Sequence, residues 1–369
     1  DETRPGVHDS LRRVSELLHK HELVESLVHR QEGPRQELVE SLVHKLHFVE
    51  LQKLLDAQHP ADVAYILESL PLEQRLVVWD LVKADREGEI LLEVSDAVRE
   101  TLIANMDEQE LVAATEQLDT DEIADLAPDL PREVMQDVFK SLSPEEREQL
   151  RSAMSYPEDT VGALMDFDMI SIRDDVTVEI ILRYLRRLDE MPDHTDQLFV
   201  VDYAGRLKGL LPINRLLVTD PGTPVATVMQ PEFIKFHPQE KAQDAANAFE
   251  RYDLVSAPAV DEGGSLIGRV TVNAVMDYIR EETDSDRLSA GGLLEDEDLF
   301  ASVWRSVRNR WTWLAVNLVT AFIASRVIGL FEGSISKLVA LAALMPIVAG
   351  ISGNSGNQTI TMIVRALAL

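Results

Sequence analysis

The sequence predicts a multidomain α plus α/β membrane protein: a superhelix of short helices, then a tandem of small α/β modules, then transmembrane α-helices. Three observations carry this. From Asp1 to about Met154 apolar positions keep a helical period, with proline and acidic residues at repeated helix starts. From Tyr156 the rhythm changes to strand, glycine turn, strand and helix, and one pattern, V-D-x-x-G-x-L-x-G, occurs twice. From Trp311 onward long apolar runs carry few charges.

Charge is distributed as unevenly as hydrophobicity. The 369 residues carry a formal net charge of -30 with 45% hydrophobic content and a mean hydropathy of -0.07, which suits a water-soluble body with a small membrane part. After Ala301 six Arg and Lys residues face Glu332 alone, so the preceding part is the more acidic. Such a body repels nucleic acid and anionic lipid and attracts divalent cations. No cysteine is present, which excludes disulfides, thiolate catalysis and cysteine-ligated zinc. The chain starts on charged residues with no apolar signal segment and lacks an initiator Met, and a trimmed end is expected.

Within the first part, residues 1–155, the octapeptide Glu22 to His29 recurs unchanged as Glu37 to His44. His19, His21, His29, His44 and His47 raise the idea of a metal site, but they lack an H-x-x-x-H arrangement with an acidic partner. Leu70-Pro71, Leu130-Pro131 and Leu142-Ser143-Pro144-Glu145-Glu146 read as helix starts of a stacked superhelix. Asp121 and Asp125 lie one turn apart on one helix face, which by itself suits a solvated helix start.

The second part spans 156–281. Val201-Asp202 to Gly209 and Val260-Asp261 to Gly268 are displaced by 59 residues, and Leu164-Met165 and Val228-Met229 repeat the entrance to each unit. This tandem resembles a pair of CBS modules, about 160–220 and 225–281. CBS pairs often bind adenine nucleotides through an Asp that holds the ribose. That Asp stands three residues after a Thr or Ser; here Arg215 follows Pro212 and Ala274 follows Thr271 at that spacing, so both Asp positions are lost and tight nucleotide binding is not expected. Glu250 and Asp253 are one turn apart, and Asp277, Glu281, Glu282, Asp284 and Asp286 crowd the helix leaving the second module. That density fits either a solvated linker or a divalent-cation site that relieves the repulsion.

Residues 282–310 form a connecting segment, acidic at first, pausing at Gly291-Gly292 and ending in Trp304-Arg305 to Arg310. Arginines followed by Trp311 and Trp313 mark a cytoplasmic interface with aromatic anchors. In the membrane region, 311–369, Trp311 to Phe331 spans outward and Leu338 to Leu369 returns. On the returning helix Asn354, Asn357, Gln358, Thr361 and Arg365 fall on one face, with apolar residues on the others and a second row of small residues at Gly350, Gly353 and Gly356. Amides at bilayer depth need partners or water, so this face either packs against another helix or lines a wet path.

Pro346-Ile-Val-Ala-Gly350-Ile-Ser-Gly353-Asn354-Ser-Gly356-Asn357-Gln358 resembles the second spanning helix of the MgtE magnesium transporters and channels. The helical first part likewise resembles the MgtE intracellular N domain, and residues 282–310 its connecting, or plug, helix. The resemblance implies a homodimer in the cell membrane, multi-pass, with its N-terminal domains cytoplasmic and with five spanning helices per subunit, so that the present chain would be partial. It implies Mg2+ as transported and regulatory ion, with selectivity among Mg2+ and the other divalent cations Co2+, Ni2+ and Mn2+ left open. Separately, the sequence shows no nucleophile with a base, no phosphate-binding glycine loop and no catalytic metal spacing, so no enzyme activity is expected. The resemblance matches Asp121, Asp125, Asp253, Asp277 and Glu282 to acidic magnesium-binding positions, while Lys241 and Ala274 replace acidic ones. Glu250 and Asp286 join that set by position alone. The expected mechanism is a pore lined in part by Gly353, Asn354, Asn357, Gln358 and Thr361, gated by cytosolic Mg2+ at the acidic domains. A membrane-tethered CBS sensor that conducts nothing is the alternative.

Overall fold

Helix starts recur with a fixed step through the first half of the chain. The computed structural model describes residues 6–28, 47–188, 190–290, 300, 303–336 and 339–367. After α1 (Val7–Val28) and α2 (residues 47–56) come α3 (Pro60–Glu68), α4 (Leu72–Trp79), α5 (Ala84–Glu93), α6 (Asp96–Ile103), α7 (Glu108–Thr115), α8 (Thr120–Leu126), α9 (Arg132–Ser141) and α10 (Pro144–Ala153). Their N-caps fall at His59, Lys83, Asp107 and Pro131 for one set, and at Pro71, Ser95, Asp119 and Ser143 for the other. Both sets step by 24 residues, which makes this a solenoid of helix pairs. Pro71 and Pro131 are themselves the caps, whereas Pro144 sits inside the first turn.

Caps and arginines stitch the repeats together. Asp107 accepts from the amides of Gln109 and Glu110 at 2.8 and 2.9 Å, and Glu110 reaches back to the Asp107 amide. Four residues past three of the second-set caps stand Arg75, Arg99 and Arg147. Arg75, fully buried, donates to the Leu67 and Leu70 carbonyls, and Arg99 to those of Leu91, Leu92 and Val94. Each guanidinium thus closes the open C-terminal end of the helix before it. Arg147 does the same at Lys140. The remaining repeat has Ile123 there, buried at 1%. One apolar core from Val14 to Leu150 runs through the stack.

The α/β part has two three-stranded sheets. The first, β2 (Ser171–Arg173), β3 (Gln197–Val201) and β4 (Leu207–Pro212), packs with α11 (Val178–Leu185), α12 (Ile213–Val218) and α13 (Val225–Val228). The second is β1 (Met165–Asp166), β6 (Leu266–Thr271) and β5 (Ser256–Val260), under α14 (Ala242–Tyr252) and α15 (Val272–Ala290). The modules exchange edges. Met165 of the first entrance pairs with Val270 of the second sheet, and Gln230 of the second entrance exchanges backbone hydrogen bonds with Leu210 of the first, at 2.7 and 3.0 Å. The repeated turns also meet: Leu207 donates to Gly264 and Leu266 to Gly205, each at 3.0 Å. Gly205 and Gly264 have φ of +77° and +81°, which explains glycine at that position of the pattern.

Residues 1–301 and 302–369 form separate compact units. In the second, α16 (Val303–Leu330) is followed by α17 (Glu332–Ile335) and α18 (Val339–Leu367), with Pro346 inside α18. The connecting segment divides: residues 282–290 continue α15, and 303–310 are one helix with the first span. Among the described residues one stretch, Trp311–Leu330, is long and apolar enough to cross a membrane. α18 has the length of a second span, but glycines and amides from Gly350 to Gln358 dilute its apolar character.

Candidate metal centre

α8 breaks the rule of the solenoid where it meets the α/β part. Its N-cap Asp119 is closed by Glu122, whose carboxylate accepts from the Asp119 amide at 2.9 Å. The same turn then presents Asp121 toward β1, against which α8 packs. Asp121 is only partly exposed, and its Oδ1 is buried without a hydrogen-bond partner. A buried orphan acceptor is costly, about 1–3 kcal/mol, and calls for a donor or a cation.

The charge environment deepens that cost. Burial first, and then the negative charge of Asp166, pushes the Asp121 carboxyl up to about 8. Asp119 is raised by burial and by Asp168, Asp166 and Asp193. Glu122 is raised chiefly by burial. Asp166 is raised by burial even though Arg269 faces it, donating through Nε to its carboxylate at 2.7 Å. Arg269 is 3% exposed and also donates to the Asp193 carbonyl at 2.7 Å, so one guanidinium holds part of a carboxylate cluster together.

One turn further, Asp125 faces a second group. Its carboxyl is pushed up to about 7, first by the protein crowded around it and then by Glu281, with Asp277 also contributing. Asp125 nonetheless keeps solvent-exposed surface, so water screens it and its shift is the softer of the two. Glu281 is raised by the protein around it and by Asp96, and Asp277 by the protein around it; both keep exposed surface, as Glu282 does, so water screens them too. Arg99 opposes this group; it also pairs with Asp96 and Asp129 at 3.3 Å.

The structure therefore joins Asp121 and Asp125 of the helical part to Asp166, Asp277 and Glu281 of the α/β part. It does not draw in every expected residue. Glu250 and Asp253 are exposed at the C-terminal end of α14, Asp253 as a left-handed cap with φ of 51°. Glu282 is exposed on α15, where its charge acts on the Tyr278 phenol. Asp286 lies in α15, and its side chain falls outside the described residues, as do those of His29, His44 and Thr361. Gly353, Asn354, Asn357 and Gln358 follow one another on α18, exposed in their own unit. Asp166 and Arg269 were not anticipated, and neither was Arg99. Among the described residues no three His, Cys, Asp or Glu groups converge tightly enough to grip a bare metal ion. The donors are hard carboxylate oxygens spread over a joint, which fits an ion that keeps its water shell.

A CBS-type pair and a helical solenoid that meets it through carboxylates define a cation-attracting body, followed along the chain by an apolar helix of membrane-crossing length. Comparisons with known proteins make the class specific. Residues 58–159 match the model of the MgtE intracellular N domain, and 225–281 that of the CBS domain. The magnesium transporter MgtE of Thermus thermophilus is 32% identical over 86% of this chain and 72% of its own length, and that of Bacillus subtilis 25% identical over 86% and 71%. A solved structure of the cytosolic domain of the Mg2+ channel MgtE in complex with ATP superposes with a TM-score of 0.58 at 30% identity, covering 65% of this chain and 98% of that one. The chain belongs to the MgtE family of magnesium transporters.

Proposed function

We propose that this chain is part of a homodimeric magnesium transporter or channel of the cell membrane, shut when cytosolic Mg2+ is high. The observation that carries the gating reading is the Asp121 carboxylate: its Oδ1 is buried and unpartnered, it faces Asp166 across the joint, and its protonation is pushed up to about 8. Without a cation, Asp121 and Asp125 give up their protons only near pH 8 and pH 7, and once ionised they repel Asp166, Asp277 and Glu281 across the same joint. Divalent charge lodged there offsets the repulsion and holds the solenoid against the CBS pair; its loss lets the two part. Glu250, Asp253, Glu282 and Asp286 would serve as outer positions that raise local cation concentration. In the membrane unit Gly353, Asn354, Asn357, Gln358 and Thr361 would present amide, hydroxyl and backbone oxygens to a hydrated ion.

The family relation supports conduction over the alternative of a sensor without transport, since the relatives are named as transporters. The solved relative carries ATP. Here Arg215 and Ala274 stand where the ribose-binding aspartates would be, so we assign regulation to the divalent cation and not to nucleotide. Limited proteolysis tests the gating reading: Mg2+ should protect a fragment ending at Ala290, and Asp125→Ala with Asp277→Ala should weaken that protection. Equal cleavage with and without Mg2+ would refute it.

A further inference from the structure

Two histidines sit where the pattern of the N-terminal helices calls for apolar side chains. On α1 the inward face runs Ser10, Val14, Leu17, Leu18 and His21, all buried, with His21 at 9% exposure. On α2 the buried residues Leu51 and Leu55 extend back by one helical turn to His47. The helices lie antiparallel: Ser10 Oγ donates to Gln58 Oε1 at 3.1 Å at one end, and His21 meets His47 and Phe48 at the other. The two imidazole centroids are 6.1 Å apart with their planes at 73°, and the ring of Phe48 covers His21 at 4.8 Å.

An edge-to-face aromatic pair would account for the rings alone. It does not account for His47 Nδ1, which is buried and has no hydrogen-bond partner. Phe would fill the same space without stranding a nitrogen. Two imidazoles that each hold one nitrogen about 2.0–2.1 Å from a tetrahedral ion have centroids about 5 Å apart, so this pair, at 6.1 Å, needs an inward shift of about 1 Å to share one. Imidazole nitrogen is a donor for Zn2+, Co2+ and Ni2+ and a poor one for Mg2+, which takes oxygen.

We propose that His21 and His47 form a binding site for a borderline divalent transition metal of the zinc and cobalt type, separate from the carboxylate joint and independent of the gating reading. The ion bridges α1 and α2 and pins the first helix to the solenoid, with water completing its coordination. This gives a magnesium transporter a place to register a competing metal without using its magnesium-sensing carboxylates.

The test uses the full chain in detergent micelles with Mg2+ in excess, so that the carboxylates are occupied. Zn2+ is titrated calorimetrically, and Co2+ by its visible absorption. The expected result is Zn2+ binding that Mg2+ does not displace, nitrogen-type Co2+ bands, and loss of both in His21→Phe and in His47→Phe, which keep the ring volume. His19→Gln, an exposed neighbour, should leave them intact. Thermal melting gives the second readout: Zn2+ should raise the melting temperature of the parent chain and of His19→Gln alone. Undiminished Zn2+ binding in both Phe variants, or no Zn2+ binding once Mg2+ is in excess, overturns the site and leaves an aromatic pair only.

Discussion

Asp121→Asn should stabilise the magnesium-free protein, increasingly so as pH rises. The Asp121 carboxyl titrates near 3.8 in the unfolded chain and is pushed up to about 8 in the folded one, by burial first and by Asp166 next. Below about pH 4 both states are protonated and the group has no net effect. As pH climbs from there the unfolded chain releases its proton while the folded chain keeps it, so stability falls by about 1.4 kcal/mol per pH unit. The fall ends when the folded group ionises near 8. Integrated to about pH 7.5 this gives a ceiling of about 4–5 kcal/mol, which side-chain rearrangement and water entry bring to about 1–3 kcal/mol. Asn keeps the shape and removes the proton equilibrium. Urea unfolding of a fragment ending at Ala290, which holds three apolar cores, reads the difference in chelator at about pH 6 and about pH 8. The parent midpoint should fall between the two, the variant's should fall less, and Mg2+ should restore only the parent. Equal pH slopes, or a variant less stable than the parent at about pH 8, would refute the reasoning.

Two more perturbations reach other levels of the structure. Gly88→Ala places a methyl 2.2 Å from the Ala114 carbonyl oxygen, between packed helices α5 and α7; because that atom is backbone, the helices must separate, at a cost of about 2–3 kcal/mol in thermal or urea unfolding. Gly6→Ala, where nothing lies within 4 Å, serves as its control. Asn354→Leu in the complete transporter in liposomes should cut Mg2+ flux about tenfold, the equivalent of one lost amide contact of about 1.4 kcal/mol, while leaving Mg2+-dependent protease protection of the extramembrane part unchanged. Undiminished flux would assign that face of α18 to helix packing.

The elements with local signals were legible in the sequence. Helix starts at Pro71, Pro131 and Ser143-Pro144, the paired glycine turns at Gly205 and Gly264, and the Asp121–Asp125 face all follow from residues within a few positions of one another. The 24-residue step was harder to see, because equivalent positions differ in kind: Glu73, Ala97, Asp121 and Glu145 each stand two past their cap, and only the caps and the arginines at 75, 99 and 147 keep time. Asp166 and Arg269 are 103 residues apart and meet only because β1 crosses to the second sheet. No local pattern encodes such an exchange. Glu250 and Asp253 looked equivalent to Asp277 in charge density, yet α14 ends in solvent beyond Tyr252 while α15 leads Asp277 and Glu281 toward α8.

In a solenoid each turn leans on its nearest neighbours, so length at its free end is decoupled from events further along. α8 belongs to the third helix pair, and the pair before it already closes its own carbonyls through Arg99. Whole 24-residue units could therefore be gained or shed ahead of Lys83 in evolution without shifting Asp121 relative to Asp166. A deletion of any other size would rotate every later face out of phase with the sheet it touches. Growth at one end and fixed register at the other make the N-terminal turns the part of this body most open to divergence.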